Sequence, residues 1–79
     1  MEKFIVTGGL GFIGSNLIEL LLSKKCKVLN IDKVSYASNF YNIKNLKKNR
    51  NYSFKKININ DNKKFNKILK KFKPTGIFN

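Results

Sequence analysis

Histidine is absent from the 79 residues, and Cys26 is the single cysteine. A lone thiol has no partner for an internal disulfide, and without imidazole no His/Cys zinc cluster can be assembled, so no structural metal is expected. No stretch is both long and free of charge, which excludes a membrane-spanning helix, while 42% hydrophobic residues is too rich for a disordered chain. Met1-Glu2-Lys3 leads straight into Phe4-Ile5-Val6, too short for a signal-peptide core and followed by glycines instead of a cleavage site. A cytoplasmic location is the expectation. At this length the chain holds one domain at most, or part of one, and a core of that size leaves a thin margin of stability.

Acids are also scarce, four against 17 Lys and Arg, for a net charge of +13. Residues 1–40 carry five Lys against three acids, a balance of +2, whereas 41–79 carry eleven Lys and Arg50 against Asp61, a balance of +11. The excess therefore sits in the second half, together with abundant Asn and Ile. These residues share A/T-rich codons, so genome composition is sufficient to produce the bias, and a basic patch alone is a weak warrant for nucleic-acid binding. Neither nucleic acid nor membrane is expected as a partner.

What is present is a regular alternation of elements. Lys3-Phe-Ile-Val-Thr7 is a short apolar run of β-formers ending at Gly8-Gly9, as in a strand buried on both faces of a parallel sheet. Ile13, Leu17, Leu20 and Leu21, flanked by Ile18 and Leu22, recur at helical spacing, and Lys24-Lys25 place cations near the helix C-terminus. Lys27-Val-Leu-Asn-Ile-Asp32 reads as the second strand, which makes residues 4–32 a βαβ unit. The polar segment from Val34 to Asn51 carries at most a short helix around Tyr41–Lys48, with Ile43 and Leu46 facing inward. Tyr52 to Ile59 alternates as a third strand anchored by Phe54 and Tyr52. Asp61 or Asn62 caps a second helix with Phe65, Ile68, Leu69 and Phe72 on one face, and Lys63, Lys64, Lys67, Lys70 and Lys71 largely opposite. Pro74 is expected to end it, and Gly76-Ile77-Phe78-Asn79 to open a fourth strand that breaks off in the middle. Cys26 is expected to be a buried small hydrophobe at the helix-to-strand turn.

Between the first strand and the first helix lies Thr7-Gly8-Gly9-Leu10-Gly11-Phe12-Ile13-Gly14, with Gly-x-Gly-x-x-Gly at Gly9, Gly11 and Gly14 and the wider Gly-x-x-Gly-x-x-Gly at Gly8, Gly11 and Gly14. Three demands meet here: a tight turn out of the strand, backbone near enough to touch a pyrophosphate, and a helix lying close to the sheet. The helix N-terminus offers N–H groups and a positive dipole end to a diphosphate. A glycine pattern alone is a common structural turn; with a strand before it, an amphipathic helix after it and Asp32 closing the next strand, it meets the conditions of a dinucleotide fingerprint. Asp32 would accept hydrogen bonds from the ribose hydroxyls and repel a 2′-phosphate, favouring NAD over NADP, although Lys33 beside it softens that repulsion.

With these residues placed, the sequence resembles the extended short-chain dehydrogenase/reductase enzymes of nucleotide sugars, whose opening signature Thr7-Gly-Gly-Leu-Gly-Phe-Ile-Gly-Ser-Asn16 matches almost position for position. Within that group Ile31-Asp-Lys-Val-Ser-Tyr-Ala-Ser-Asn39 is similar to the corresponding run of dTDP-glucose 4,6-dehydratases. The resemblance implies an incomplete Rossmann domain over residues 1–79, with a βαβαβ(αβ) parallel α/β arrangement that reaches only the first quarter or so of such an enzyme. It implies backbone contacts from Gly8, Gly11, Phe12, Ile13 and Gly14 to the pyrophosphate of NAD. It further implies that Asp32, Lys33, Val34 and Ser35 surround the adenosine ribose and that Asn58 and Ile59 stand where the family's Asp-Ile pair contacts adenine. The intact enzyme would be a homodimer that passes a hydride from sugar C4 to C6 through NAD and eliminates water across C5 and C6. No catalytic residue is assigned here, since the family's Tyr-x-x-x-Lys pair and its sugar-nucleotide domain belong further along, and Tyr36, Tyr41 and Tyr52 are not read as substitutes. The alternatives are part of an NAD-dependent epimerase or decarboxylase, or a non-enzymatic basic binding module built on residues 41–79.

Overall fold

The computed structural model describes residues 1–8, 12–32 and 48–78. Four strands and two helices follow in the order β1 (Lys3–Thr7), α1 (Phe12–Ser23), β2 (Lys27–Asp32), β3 (Tyr52–Lys56), α2 (Asn62–Phe72) and β4 (Gly76–Phe78). The sheet order is β3-β2-β1-β4, and each neighbouring pair is parallel. Ile5 of β1 thus lies beside Leu29 on one side and Ile77 on the other.

Strand alternation sends successive side chains to opposite faces, and the two faces are covered by different helices. Val6 and Val28 pack with Ile18, Leu21, Leu22 and Cys26 of the α1 layer. Ile5, Leu29 and Ile31 pack with Ile68 of α2, and Phe65, Leu69 and Phe72 close in around them. Both faces of β1 and β2 are therefore apolar, which is why these strands read as continuous hydrophobic runs.

The first helix is apolar over more of its circumference than the sheet can cover. Ile18, Leu21 and Leu22 are buried, but Ile13 and Leu20, expected inside, are 83% and 53% exposed. The helix stops at Ser23, so Lys24 and Lys25 fall in the following turn and not in the last helical turn. Lys25 takes the left-handed conformation (φ 62). Its N–H reaches the Leu22 carbonyl at 3.0 Å and the N–H of Cys26 reaches Leu21 at 3.1 Å, the paired bonds of a Schellman stop. Cys26 is buried, as its position at this turn predicts.

Asparagine punctuates β3 at both ends. Asn49 Oδ1 accepts from the Asn51 N–H before the strand, and Asn58 Oδ1 accepts from the Asn60 N–H after it, both at 2.9 Å. The Asn58 carbonyl also accepts from the Asp61 N–H. These local bonds compete with the ladder and end the strand at Lys56, short of the expected Ile59. Asp61 then caps α2 by accepting from the Lys64 N–H, and Lys73 ends it in the left-handed conformation, one residue before Pro74. The helix expected around Tyr41–Lys48 lies, apart from Lys48, outside the described residues.

One polar pair is built into the α1 face. Asn30 is completely buried and donates through Nδ2 to Tyr52 Oη at 3.1 Å. Burial pushes the Tyr52 phenol above its ordinary pKa of 10.0; the Asn30 bond opposes this and the Asp32 charge adds to it. The phenol therefore stays neutral in the folded chain at pH values where the unfolded chain has begun to ionise. Its contribution to stability is intact below pH about 10 and is lost as the pH rises through the folded value. Relative to Tyr52→Phe, the parent chain should lose unfolding free energy as the pH rises above about 10. Urea titrations across that range check this, and a difference that stays constant with pH would refute it.

Candidate functional site

The sheet order places a topological switch at β1: the chain moves from β1 outward through β2 to β3, then returns to the other side of β1 as β4. In open parallel sheets the crevice at the carboxyl ends of the strands beside such a switch is where ligands sit. Thr7, Asp32, Lys56 and Phe78 mark those ends. The Thr7 hydroxyl donates to the Phe78 carbonyl at 3.4 Å, tying β1 to β4 at the rim.

Gly8 leaves β1 with φ +71 and donates its N–H to the Ile31 carbonyl at 2.9 Å, which pins the turn to β2. No atom lies within 4 Å of where a β-carbon would stand, so the conformation, and not crowding, is what calls for glycine. Helix α1 begins at Phe12 with no acidic residue in its first turn, so its positive end is not neutralised from within the helix. Ile13 there is exposed, Gly14 is half-buried and Ser15 is buried.

Asp32 closes β2 with 8% of its surface exposed, and its carbonyl accepts from the Ile57 N–H at 3.0 Å. That bond brings the start of the Asn58–Asp61 turn next to the acid. Asn58 is exposed, and its side-chain oxygen already holds the Asn60 N–H, so the amide is oriented by its own turn. Ile59 beside it, in the same turn, is 38% exposed. Gly8, the start of α1, Asp32 and Asn58–Ile59 thus line one rim across three adjacent strands, a span of about 10 Å at ordinary strand spacing. Gly11, Lys33, Val34 and Ser35 lie outside the described residues, as does the Phe12 side chain.

Two rim residues escaped the sequence reading: Thr7, whose hydroxyl links β1 to β4, and Ser15. Their signal was a small hydroxyl residue on each side of the glycines. The sequence reading also passes over a spacing match, because Tyr52 is followed by Lys56 four residues later. The two residues occupy a strand, where four residues span about 13 Å instead of the single turn a helix would place between them. Tyr52 moreover bonds to buried Asn30, so the match carries no catalytic pairing.

Comparison with known proteins places this geometry. The family described as GDP-mannose 4,6 dehydratase matches residues 5–79. A Sinorhizobium fredii protein described as a probable dTDP-glucose 4,6-dehydratase is 42% identical over 72 residues, covering 91% of this chain and 21% of that protein. The crystal structure of dTDP-glucose 4,6-dehydratase from Bacillus anthracis in complex with NAD superposes with a TM-score of 0.92 at 32% identity, over 98% of this chain and 25% of that one. UDP-glucose 4-epimerase from Thermotoga maritima, solved with UDP-glucose, gives 0.81 at 29% identity, over 95% of this chain and 22% of that one. The chain spans 17–23% of the length of the curated relatives it matches.

Proposed function

Because the chain belongs to the GDP-mannose 4,6-dehydratase family, we propose that it supplies the adenosine-diphosphate half-site of an NAD-dependent nucleotide-sugar dehydratase, of the dTDP-glucose 4,6-dehydratase type. The observation that carries the reading is the rim itself: a left-handed Gly8 leaving β1, a helix with no acid in its first turn and a largely buried acid closing β2. Backbone at Gly8, Gly11, Phe12, Ile13 and Gly14 would meet the diphosphate. Asp32 would accept from the ribose hydroxyls, with Lys33, Val34 and Ser35 around it, and Asn58 and Ile59 would take the adenine. The Asn58 oxygen keeps a second lone pair, and its NH2 group remains to donate, so an adenine edge can be met by either.

When bound, NAD supplies a hydride acceptor; this chain's own residues bind and orient its adenosine end and exclude a 2′-phosphate. The nucleotide-sugar substrate belongs to the same proposal and is supported by the neighbours solved with nucleotide ligands; the homodimer and the cytoplasmic setting are proposed with it from the family resemblance. A second reading, an NAD-dependent epimerase, is supported by the likeness to the Thermotoga maritima epimerase.

Isothermal titration of the 79-residue chain tests the half-site. Because contacts reach only part of the cofactor, the expected dissociation constant for NAD is weak, about 0.1–1 mM, with NADP weaker still. A chain that is folded by circular dichroism yet binds neither, or binds NADP as well as NAD, would overturn the reading.

A further inference from the structure

Away from the rim, the α2 face carries a groove of about 570 Å³ between the helix and the sheet. Its apolar lining consists of the half-buried Ile57 and Phe72 above the buried Leu29 and Ile68, and Ser53 adds a hydroxyl. Five lysines line it: Lys64, Lys67 and Lys71 from α2, and Lys27 and Lys55 from β2 and β3. The α2 lysines recur at i, i+3 and i+7, an exposed row about 10 Å long on the side of the helix away from its packed face. The groove is thus partly aliphatic and lined by lysines from the helix and from two strands.

No acidic residue lines it, and the sole ion pair among the described residues is the exposed Lys64–Asp61 contact at 4.0 Å. Like charges converging on a concave apolar surface repel one another and focus a positive potential into the trough. An occupant that relieves this must carry negative charge on two sides and hydrocarbon between. Single-stranded nucleic acid fits poorly: it needs stacking platforms and favours the forked guanidinium for phosphate. Among the described residues Phe72 is the single aromatic in the lining, Lys3 Nζ already stands 5.9 Å from its ring centroid, and no arginine lines the groove.

We propose that this groove docks an acidic amphipathic helix of a partner protein, one whose apolar stripe is flanked on both sides by Asp or Glu. The stripe would lie on the half-buried Ile57 and Phe72 and on the aliphatic stems of the lining lysines, and the flanking carboxylates would meet the lysine ammonium groups, a helix-in-groove mode of recognition. Electrostatic complementarity would supply orientation and rate, and the trough the remaining affinity. The site does not share residues with the cofactor rim, so it stands or falls independently of NAD.

The test is fluorescence anisotropy on the full chain with a labelled synthetic peptide of about 16 residues, four helical turns, whose leucine stripe is flanked by glutamates. Three comparisons decide it: a scrambled peptide of the same composition, an oligothymidylate of equal charge, and two variants. Lys67→Glu/Lys71→Glu alters two of the lining lysines, and Lys24→Glu/Lys25→Glu makes the same change in net charge at the turn after α1. The groove variant is expected to weaken binding about tenfold and the control less than about threefold, with the scrambled peptide about fivefold weaker than the patterned one. Equal loss in both variants, equal binding of the scrambled peptide, or tighter groove-dependent binding of the oligothymidylate would each overturn the proposal.

Discussion

Asp32→Ala is expected to weaken NAD binding by this chain about 10- to 100-fold, the worth of one or two hydrogen bonds to a charged acceptor. The carboxylate stands at the carboxyl end of β2, 8% exposed, beside the turn that presents Asn58 and Ile59. A carboxylate held there can accept from both hydroxyls of a ribose diol, and its charge keeps a 2′-phosphate away. Alanine removes both effects, so the preference for NAD over NADP should narrow as well. Asp32→Asn keeps the shape and removes the charge: discrimination against NADP should fall while the fold is retained. Titration with both dinucleotides, alongside a thermal melt of each variant, separates lost recognition from lost structure. A folded Asp32→Ala chain that binds NAD like the parent would show that the ribose is held elsewhere.

Ile5→Ala should have the larger effect on the fold. Ile5 is completely buried on a central strand, flanked in register by Leu29 and Ile77 and packed into the α2 layer. Truncating such a residue costs about 2–5 kcal/mol. A single core in a domain of this size rarely supplies more than about 3–5 kcal/mol in total. The variant is therefore expected to lose its cooperative thermal transition and much of its near-ultraviolet dichroism at 25 °C. Ile13→Ala provides the contrast, because Ile13 is 83% exposed and the change should stay within about 0.5 kcal/mol. A melt for Ile5→Ala within a few degrees of the parent would show that the core lies elsewhere.

The strands and helices that position the site were legible because their residues obey one rule at a time. Lys3–Thr7 and Lys27–Asp32 are β-rich runs covered on both faces, and both are strands with the expected limits. The strand after Asn51 ran too long on paper because alternation continues through Ile57 to Ile59. What ends it is a side-chain bond from Asn58, which a hydrophobic pattern does not record. Ile13 and Leu20 were misplaced for the opposite reason: helical spacing shows that a residue is apolar, not how wide a stripe the neighbouring sheet can cover. Pro74 drew attention as a helix breaker, yet the left-handed Lys73 already stops α2. At the site, Gly8 and Asp32 are readable from strand ends and turn chemistry, because parallel order alone brings such ends to one rim, whereas Asn58 and Ile59 enter only through the family resemblance. The buried Asn30–Tyr52 pair and the lysine-lined groove depend on which elements become neighbours, and spacing along the chain is silent on that.

The position of β4 also sets an order of events. Lys3 and Thr75, which meet where β1 and β4 begin, are 72 residues apart, whereas Lys3 pairs with Lys27 across a single helical crossover. Tripling the loop to be closed adds about 1 kcal/mol of entropy, so β2 should join β1 well before β4 does. Until then the outer edge of β1 has no partner, and any other chain that offers a strand competes for it. When β4 does arrive, Gly76 comes so close to Phe4 that an added β-carbon would stand 3.2 Å from the ring, a notch that admits this register. Refolding yield should therefore fall as protein concentration rises, with the loss set during the interval in which β1 waits for its last neighbour.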